Sequence, residues 1–383
     1  MSSKIKIFLE KNSIYKKVLF FILAVLTIIS VARAVQQAQI YSFDFSVSTA
    51  KLVSEGINNY EYVLEGKHDR SENDKLLYSQ DGLYAHGFHI ILIPFTKISW
   101  ENAKLIWSII NVMFAFLIPI LLCRKFSFSI NETFFLTSIF LMSTVLRINI
   151  GYGQHTLFTF FFFILPFIFQ SKFSLFLSGF SYFKYNIGYG LFLYLASLKN
   201  INKIIITLIP VTVGWIVFSY MTNTDLLKSL FQPFLTTIYY HDQADHLPTT
   251  VFSILRLINI KGFLLVLVPL ILNIWVIYKS SLLKDNLLKL SLICLSILSF
   301  TPHQIHDYVL LFPLLLYSFR NLDLINSKLN IIFIIYFFFI LRIISFFFGI
   351  QPWEFPYGLF GYFNNLLTLV ILFLNFVNLK KII

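Results

Sequence analysis

The chain is short of charge and almost without cysteine. Charged residues fill only 13% of its 383 positions, and 18 of them are carboxylates. Soluble domains carry roughly 25% charged residues, so an ordinary water-exposed surface is excluded. Cys123 and Cys294, the two cysteines, both lie inside apolar runs, and no disulfide framework is implied. No glycine-rich phosphate loop, Walker sequence, HExxH or CxxC occurs. An internal repeat of about 20–50 residues is also missing, as is any low-complexity linker, so residues 1–383 read as a single domain.

What fills the chain is apolar sequence: 57% hydrophobic residues and a mean hydropathy of +0.77. Val18–Val35, Ile204–Tyr220, Gly262–Ile277 and Asn330–Phe348 are the clearest runs. At about 1.5 Å rise per residue, each crosses or nearly crosses a hydrocarbon layer of ~30 Å. The first reads as a retained helix rather than a signal peptide, because Val31-Ala32-Arg33-Ala34 puts a charge where cleavage would occur. Alternation of sides gives about twelve crossings, near 18–35, 101–123, 131–149, 154–170, 173–183, 186–198, 203–221, 262–279, 286–300, 305–319, 329–349 and 357–379. The expected fold is an all-α integral membrane protein, a polytopic helical bundle with an outer-face cavity. The pieces 173–183 and 186–198 are too short to span alone and read as a broken hairpin bent at Lys184-Tyr185-Asn186. Irregular backbone at that depth is tolerated where it lines a protein cavity. Segment 84–97, with His86 and His89 at one end, reads as a re-entrant or interfacial helix.

The charges sort by side. Lys4, Lys6, Lys11, Lys16, Lys17, Arg124, Lys125, Lys172, Lys199, Lys203, Lys279, Lys284, Lys289, Arg320, Lys328, Lys380 and Lys381 share short segments with only Glu10, Glu132, Asp285 and Asp323. Lys and Arg accumulate on the cytoplasmic side, so this set and both termini are expected there. The formal charge of +12 is then a topology signal, with anionic lipid headgroups as neighbours. No basic stripe interleaved with aromatics points to nucleic acid. The outer side holds most carboxylates and the long loops, about 36–83, 222–260 and 350–357.

Three places could carry chemistry. Asp44 follows the first helix between Phe43 and Phe45. Apolar neighbours raise a carboxylate's pKa, which suits a general base; the same residue could cap the helical stretch 46–54. Arg147 and Gln154 bracket a turn at an outer helix end, and Lys184 sits in the broken hairpin. A lysine at that depth is costly unless paired, for instance with a phosphate, or snorkelling to the headgroups. Thr301-Pro302-His303-Gln304-Ile305-His306-Asp307-Tyr308 offers His303, His306 and Asp307 for a metal, an anion or a sugar. His241, Asp242, Asp245 and His246 have ligand-like spacing inside the second long loop, where a solvated face is the commoner explanation.

Four landmarks resemble glycosyltransferase family 87, membrane-embedded enzymes of the GT-C class that use polyprenyl-phosphate sugars. Asp44-Phe45-Ser46-Val47 followed by Glu55-Gly56-Ile57-Asn58-Asn59-Tyr60 is similar to the family's opening, DFxVYxxAxxxxxxGxNPY. Gly153-Gln154-His155-Thr156-Leu157 resembles its GQxNxL helix start. Ser178-Gly179-Phe180-Ser181-Tyr182-Phe183-Lys184 stands where the family has AGLxxGLAxxLKP, and Thr301 to Leu310 resembles SPHxxxYDxVLL. The order is the family's, over roughly residues 18 to 320. Tyr84-Ala85-His86 departs from the expected YPP, and Tyr185 replaces the proline after the lysine.

The resemblance implies inverting sugar transfer, of a hexose such as mannose, on the outer face of a bacterial cytoplasmic membrane. Asp44 would be the catalytic base. Lys184, His303, His306, Asp307, Arg147 and Gln154 would hold the donor phosphate or sugar, and His86 and Tyr84 would line the cavity or acceptor site. No metal or other cofactor is expected. The acceptor would be a glycolipid, a polysaccharide or a protein. The alternative is a polytopic transporter or a flippase for lipid-linked sugars, which also uses broken helices around buried charges.

The topology makes a direct prediction. A cysteine at Ser71 should react with an impermeant thiol reagent added to intact cells, and one at Ser281 should not; the reverse pattern inverts the orientation.

Overall fold

The computed structural model describes residues 8–10, 13–65, 84–243, 251, 254–255, 263–348 and 358–377. Among them every regular element is a helix. In a chain this apolar that follows from backbone chemistry, since a helix satisfies its own N–H and C=O groups without water. Among the described residues three helices are long and apolar enough to cross a membrane: α1 (Ile14–Ile40), α5 (Trp100–Lys125) and α11 (Ile201–Met221). Each starts on a polar cap, with Ser13, Ser99 and Asn200 accepting from Lys16 N, Asn102 N and Lys203 N. Between α1 and α5 lie the short helices α2 (Val47–Ser54), α3 (Asn59–Leu64) and α4 (His86–Leu92). The last continues as a 3-10 turn over Ile93–Lys97, so segment 84–97 is one short helical piece, as its length implied.

The crossing expected over 131–149 is broken. α6 (Ile130–Met142) and α7 (Thr144–Gly151) meet at 57°. Ser143 causes the break: it takes an extended backbone, and its hydroxyl accepts from Leu146 N, restarting the helix in a new direction. Next come α8 (Thr156–Ile168), α9 (Lys172–Ser178), a 3-10 turn over Gly179–Phe183, and α10 (Tyr185–Ser197). The chain therefore turns at Lys184, where the hairpin was expected to bend. Loop 222–260 is not all loop, because α12 (Leu226–Gln243) runs through its first half. His241 and Asp242 fall on the last turn of α12; Asp245, His246 and the segments 66–83 and 349–357 lie outside the described residues.

The C-terminal half comprises α13 (Phe263–Ser281), α14 (Asn286–Phe300), a 3-10 turn over Ile305–Leu311, α15 (Phe312–Arg320), α16 (Ile325–Ile335) with a π-turn over Tyr336–Ile340, α17 (Leu341–Phe348) and α18 (Gly358–Val377). α14 is the central post: every residue from Leu287 to Phe300 is buried, against α10, α13, α15 and α18. A helix with apolar residues on every face belongs in such a place. Where lipid is as apolar as leucine, polar side chains add specificity between helices. Asn330 and Asn375 do so reciprocally, each amide donating to the other's carbonyl at 2.9 and 2.7 Å.

α4 reaches its position by crossing α11 at closest range. A Cβ built on Gly214 would stand 2.4 Å from Gly87 Cα and 2.9 Å from Gly87 N. Only two glycines permit that backbone-on-backbone contact. Gly214→Val should separate the helices at a cost of about 1–3 kcal/mol, the usual range for overpacking. A lowered thermal unfolding temperature in detergent would report it, and an unchanged one would mean the crossing is not so tight.

Candidate functional site

Asp44 is presented by an anchored loop rather than by a helix. Ser42 N donates to Gly151 O at 3.1 Å and Asp44 N to Tyr152 O at 2.9 Å, so residues 42 and 44 run alongside the end of α7. Ser42 takes the left-handed region, with φ 43°, and its hydroxyl donates to Ala38 O at 2.6 Å, closing off α1. Phe45 is the anchor. Its ring stacks on Trp107 (centroids 5.1 Å) and on Trp100 (5.9 Å), and Trp107 Nε1 donates to Gly153 O at 2.9 Å. Gly153 is required here: its φ is +68°, and a Cβ would meet Phe45 Cβ at 2.9 Å. With Phe45 buried, Asp44 is left half-buried at the edge of this aromatic cluster.

Three consecutive residues at the start of α8 then tie Asp44 to the second half of the site. Gln154 Nε2 donates to Asp44 Oδ2. His155 Nε2 pairs with the Ser46 hydroxyl at 3.2 Å, and its ring lies edge-on to Tyr84 at 4.7 Å. Thr156 Oγ1 donates to Asp307 Oδ1 at 2.6 Å. Tyr84, edge-on to His155, is buried and feels the charge of both Asp44 and Asp307.

The second half is a buried ion pair. Lys184 Nζ, at the bend before α10, donates to Asp307 Oδ1 at 2.6 Å, to Thr156 Oγ1 at 2.6 Å, and contacts His306 Nε2 at 3.4 Å. An ammonium has three protons, and these three partners use them all. Asp307 is as well served, since its Oδ2 accepts from Gln304 N at 3.2 Å and from Asn186 Nδ2 at 3.4 Å. His306 is held from behind by Asn149, whose amide donates to the His306 carbonyl at 3.2 Å. His303 Nδ1 lies 3.1 Å from Thr301 O. A carbonyl only accepts, so Nδ1 carries a proton.

Lys184, His306 and Asp307, sequence candidates of this half, thus converge, with His303 on the same turn against Tyr308; Gln154 binds Asp44, and Thr156, two residues on, binds Asp307. Arg147 is half-buried on α7. His86 and His89 belong to a flank packed on Tyr60, with ring centroids 5.1 and 5.5 Å away. His89 is fully used: Asn59 donates to Nε2 at 3.3 Å, and Nδ1 lies 3.0 Å from a Thr49 hydroxyl that itself donates to Ser46 O. His86 Nε2 donates to Ser229 O at 2.9 Å, fastening α12. The candidate list missed Thr156, Asn186 and Asn149; the two-residue step from Gln154 to Thr156 was the available signal for the first. Among the described residues no three His, Cys, Asp or Glu side chains come together around a metal-sized space. A cleft of ≈ 640 Å³ lies between α1, α5 and α6, lined by Thr27, Ile120, Arg124 and Thr137 among others. Its lining on α5 is Phe116, Ile120 and Arg124, toward the C-terminal end of that helix, whereas Trp100 at the other end packs on Phe45.

No family model, curated protein or solved structure matches the chain.

Breaking one partner of a buried pair leaves an uncompensated charge, at about 3–5 kcal/mol, whereas replacing both is far milder. Lys184→Met and Asp307→Leu should each lower stability by about that amount, and the double variant by much less than the sum. Denaturant unfolding in detergent measures all three, and strict additivity would mean the two groups do not depend on each other.

Proposed function

We propose that the chain is an inverting glycosyltransferase that moves a sugar, a hexose such as mannose, from a polyprenyl-phosphate donor to a hydroxyl acceptor. Its working face is the outer side of a bacterial cytoplasmic membrane that the bundle crosses about twelve times, with both termini in the cytoplasm. The observation that carries the reading is the joining of two unlike groups by Gln154, His155 and Thr156. On one side is a half-buried carboxylate; on the other, a buried ammonium among imidazoles. A base for the acceptor and a cation for the leaving phosphate are what this transfer requires. The four landmarks that resemble family 87 are the segments that supply these groups: the Asp44 loop, the start of α8, the bend at Lys184 and the turn carrying His306 and Asp307.

In this reading Asp44 takes the proton of the acceptor hydroxyl, and the acceptor oxygen forms the new bond to the anomeric carbon. The bond from that carbon to the phosphate oxygen breaks, and polyprenyl phosphate leaves with the electron pair. Gln154 orients Asp44 by donating to its carboxylate. The leaving group already carries charge, so it needs to be held rather than protonated. Lys184 holds it by exchanging its longest contact, 3.4 Å to His306, for a phosphate oxygen, while Asp307 and Thr156 keep the ammonium in place. His303, His306 and Arg147 complete the donor site, and Tyr84 and His86 line the acceptor side. A glycolipid, a polysaccharide or a protein supplies the hydroxyl.

The test uses purified protein in nanodiscs with radiolabelled polyprenyl-phosphate sugars and crude membrane acceptors. Label should appear in a new product and fall at least ~100-fold in Asp44→Asn, the loss typical of a removed general base, with donor binding retained. Failure of every donor to bind or transfer would shift the weight to transport, and full activity in Asp44→Asn would take the base role from Asp44.

A further inference from the structure

α12 has its polarity inside out. Ser229, Gln232, Pro233 and Thr236, spaced i, i+3, i+4, i+7, are buried. Leu227, Leu230, Phe231 and Phe234, with the same spacing, are 71, 43, 61 and 62% exposed. A helix lying on a protein in water shows the opposite arrangement.

The buried side is firmly engaged. Ser229 Oγ accepts from Trp215 Nε1 at 2.8 Å and meets the Ser219 hydroxyl at 2.6 Å, while its carbonyl receives His86. Gln232 accepts from Asn58 at 2.9 Å and donates to Glu61 at 3.0 Å. These bonds fix the rotation of α12 about its axis, so the outward direction of the leucines and phenylalanines is set by the polar face. Lys228 is the exception on the outer half, and it reaches back to Glu61 at 2.8 Å.

What covers the apolar stripe follows from its neighbour. α11, long and apolar enough to cross a membrane, exposes Ile205, Ile209, Val213 and Ile216, ending on Tyr220 at 87%. α12 packs on the last turns of α11, where Ser229 meets Trp215 and Ser219, next to Tyr220, an aromatic of the kind found at membrane interfaces. We infer that α12 is embedded in the bilayer leaflet on the Asp44 side, with Leu227, Leu230, Phe231 and Phe234 among acyl chains. Its polar face closes the flank that holds His86. Lys228, on the outward side, keeps its ammonium paired with Glu61. This holds whether or not the protein transfers sugar, because it rests on polarity and packing alone.

Nitroxide labels on Leu227→Cys, Phe231→Cys and Phe234→Cys, in protein reconstituted into phosphatidylglycerol-containing bilayers, read the contact directly. The native cysteines Cys123 and Cys294 are buried. Collisions with oxygen, which dissolves in lipid, should exceed those with a water-soluble nickel chelate at all three sites. Dominant nickel collisions would place the stripe in water. Low collisions with both would mean that protein covers it, from elsewhere in this chain or from a second copy. Either result overturns the inference, and neither touches the assignment of Asp44.

Discussion

A cation deep in an apolar bundle is the constraint around which the rest is arranged. Lys184 is 8% exposed, and an isolated ammonium at such a site would cost several kcal/mol. Asp307 removes most of that cost, but a lone carboxylate has the same problem, so it too needs partners. The result is a closed set in which Thr156, His306, Asn186 and the Gln304 backbone fill the remaining hydrogen-bonding positions. Because these groups come from the start of α8, the bend before α10 and the turn before α15, the pair specifies how three separate stretches of chain meet. In a low-dielectric interior, satisfying such a network rigidifies it.

Asp44 obeys a different rule. It is only half-buried, it is carried by a loop, and the Phe45 ring beside it is sandwiched by tryptophans instead of the carboxylate being surrounded. Buried aromatic anchoring fixes the backbone while the polar side chain stays accessible, which is how a loop can hold a reactive group with precision. The two halves thus divide the work between a buried charge pair and an accessible carboxylate.

Much of this was legible in the sequence, and what was not has physical causes. Long apolar runs predicted α1, α5 and α11, and the isolated lysine between two short apolar pieces located the bend at Lys184. The pairing of Lys184 with Asp307 across 123 positions was not legible, since neither residue has a local signal for its partner. Ser143 hid the kink between α6 and α7: a serine inside an apolar run reads as tolerated until its hydroxyl is seen capping a new helix. α12 lies inside the stretch 222–260 that the sequence presents as an outer loop; Ser229, Gln232, Pro233 and Thr236 are polar or helix-breaking, yet here they face protein. An inverted helix has the same periodicity as an ordinary one, and only its surroundings reveal which side is in.

The run from Gly153 to Thr156 has a further consequence for how this protein can change. Four successive positions each have a distinct duty: a left-handed turn, a grip on Asp44, a ring under Tyr84 and a bond to Asp307. No slack separates them, so inserting or deleting one residue here would rotate every later side chain by about 100° on a helix of 3.6 residues per turn. Homologous chains should therefore vary in length almost anywhere along their loops before they vary in length at this point.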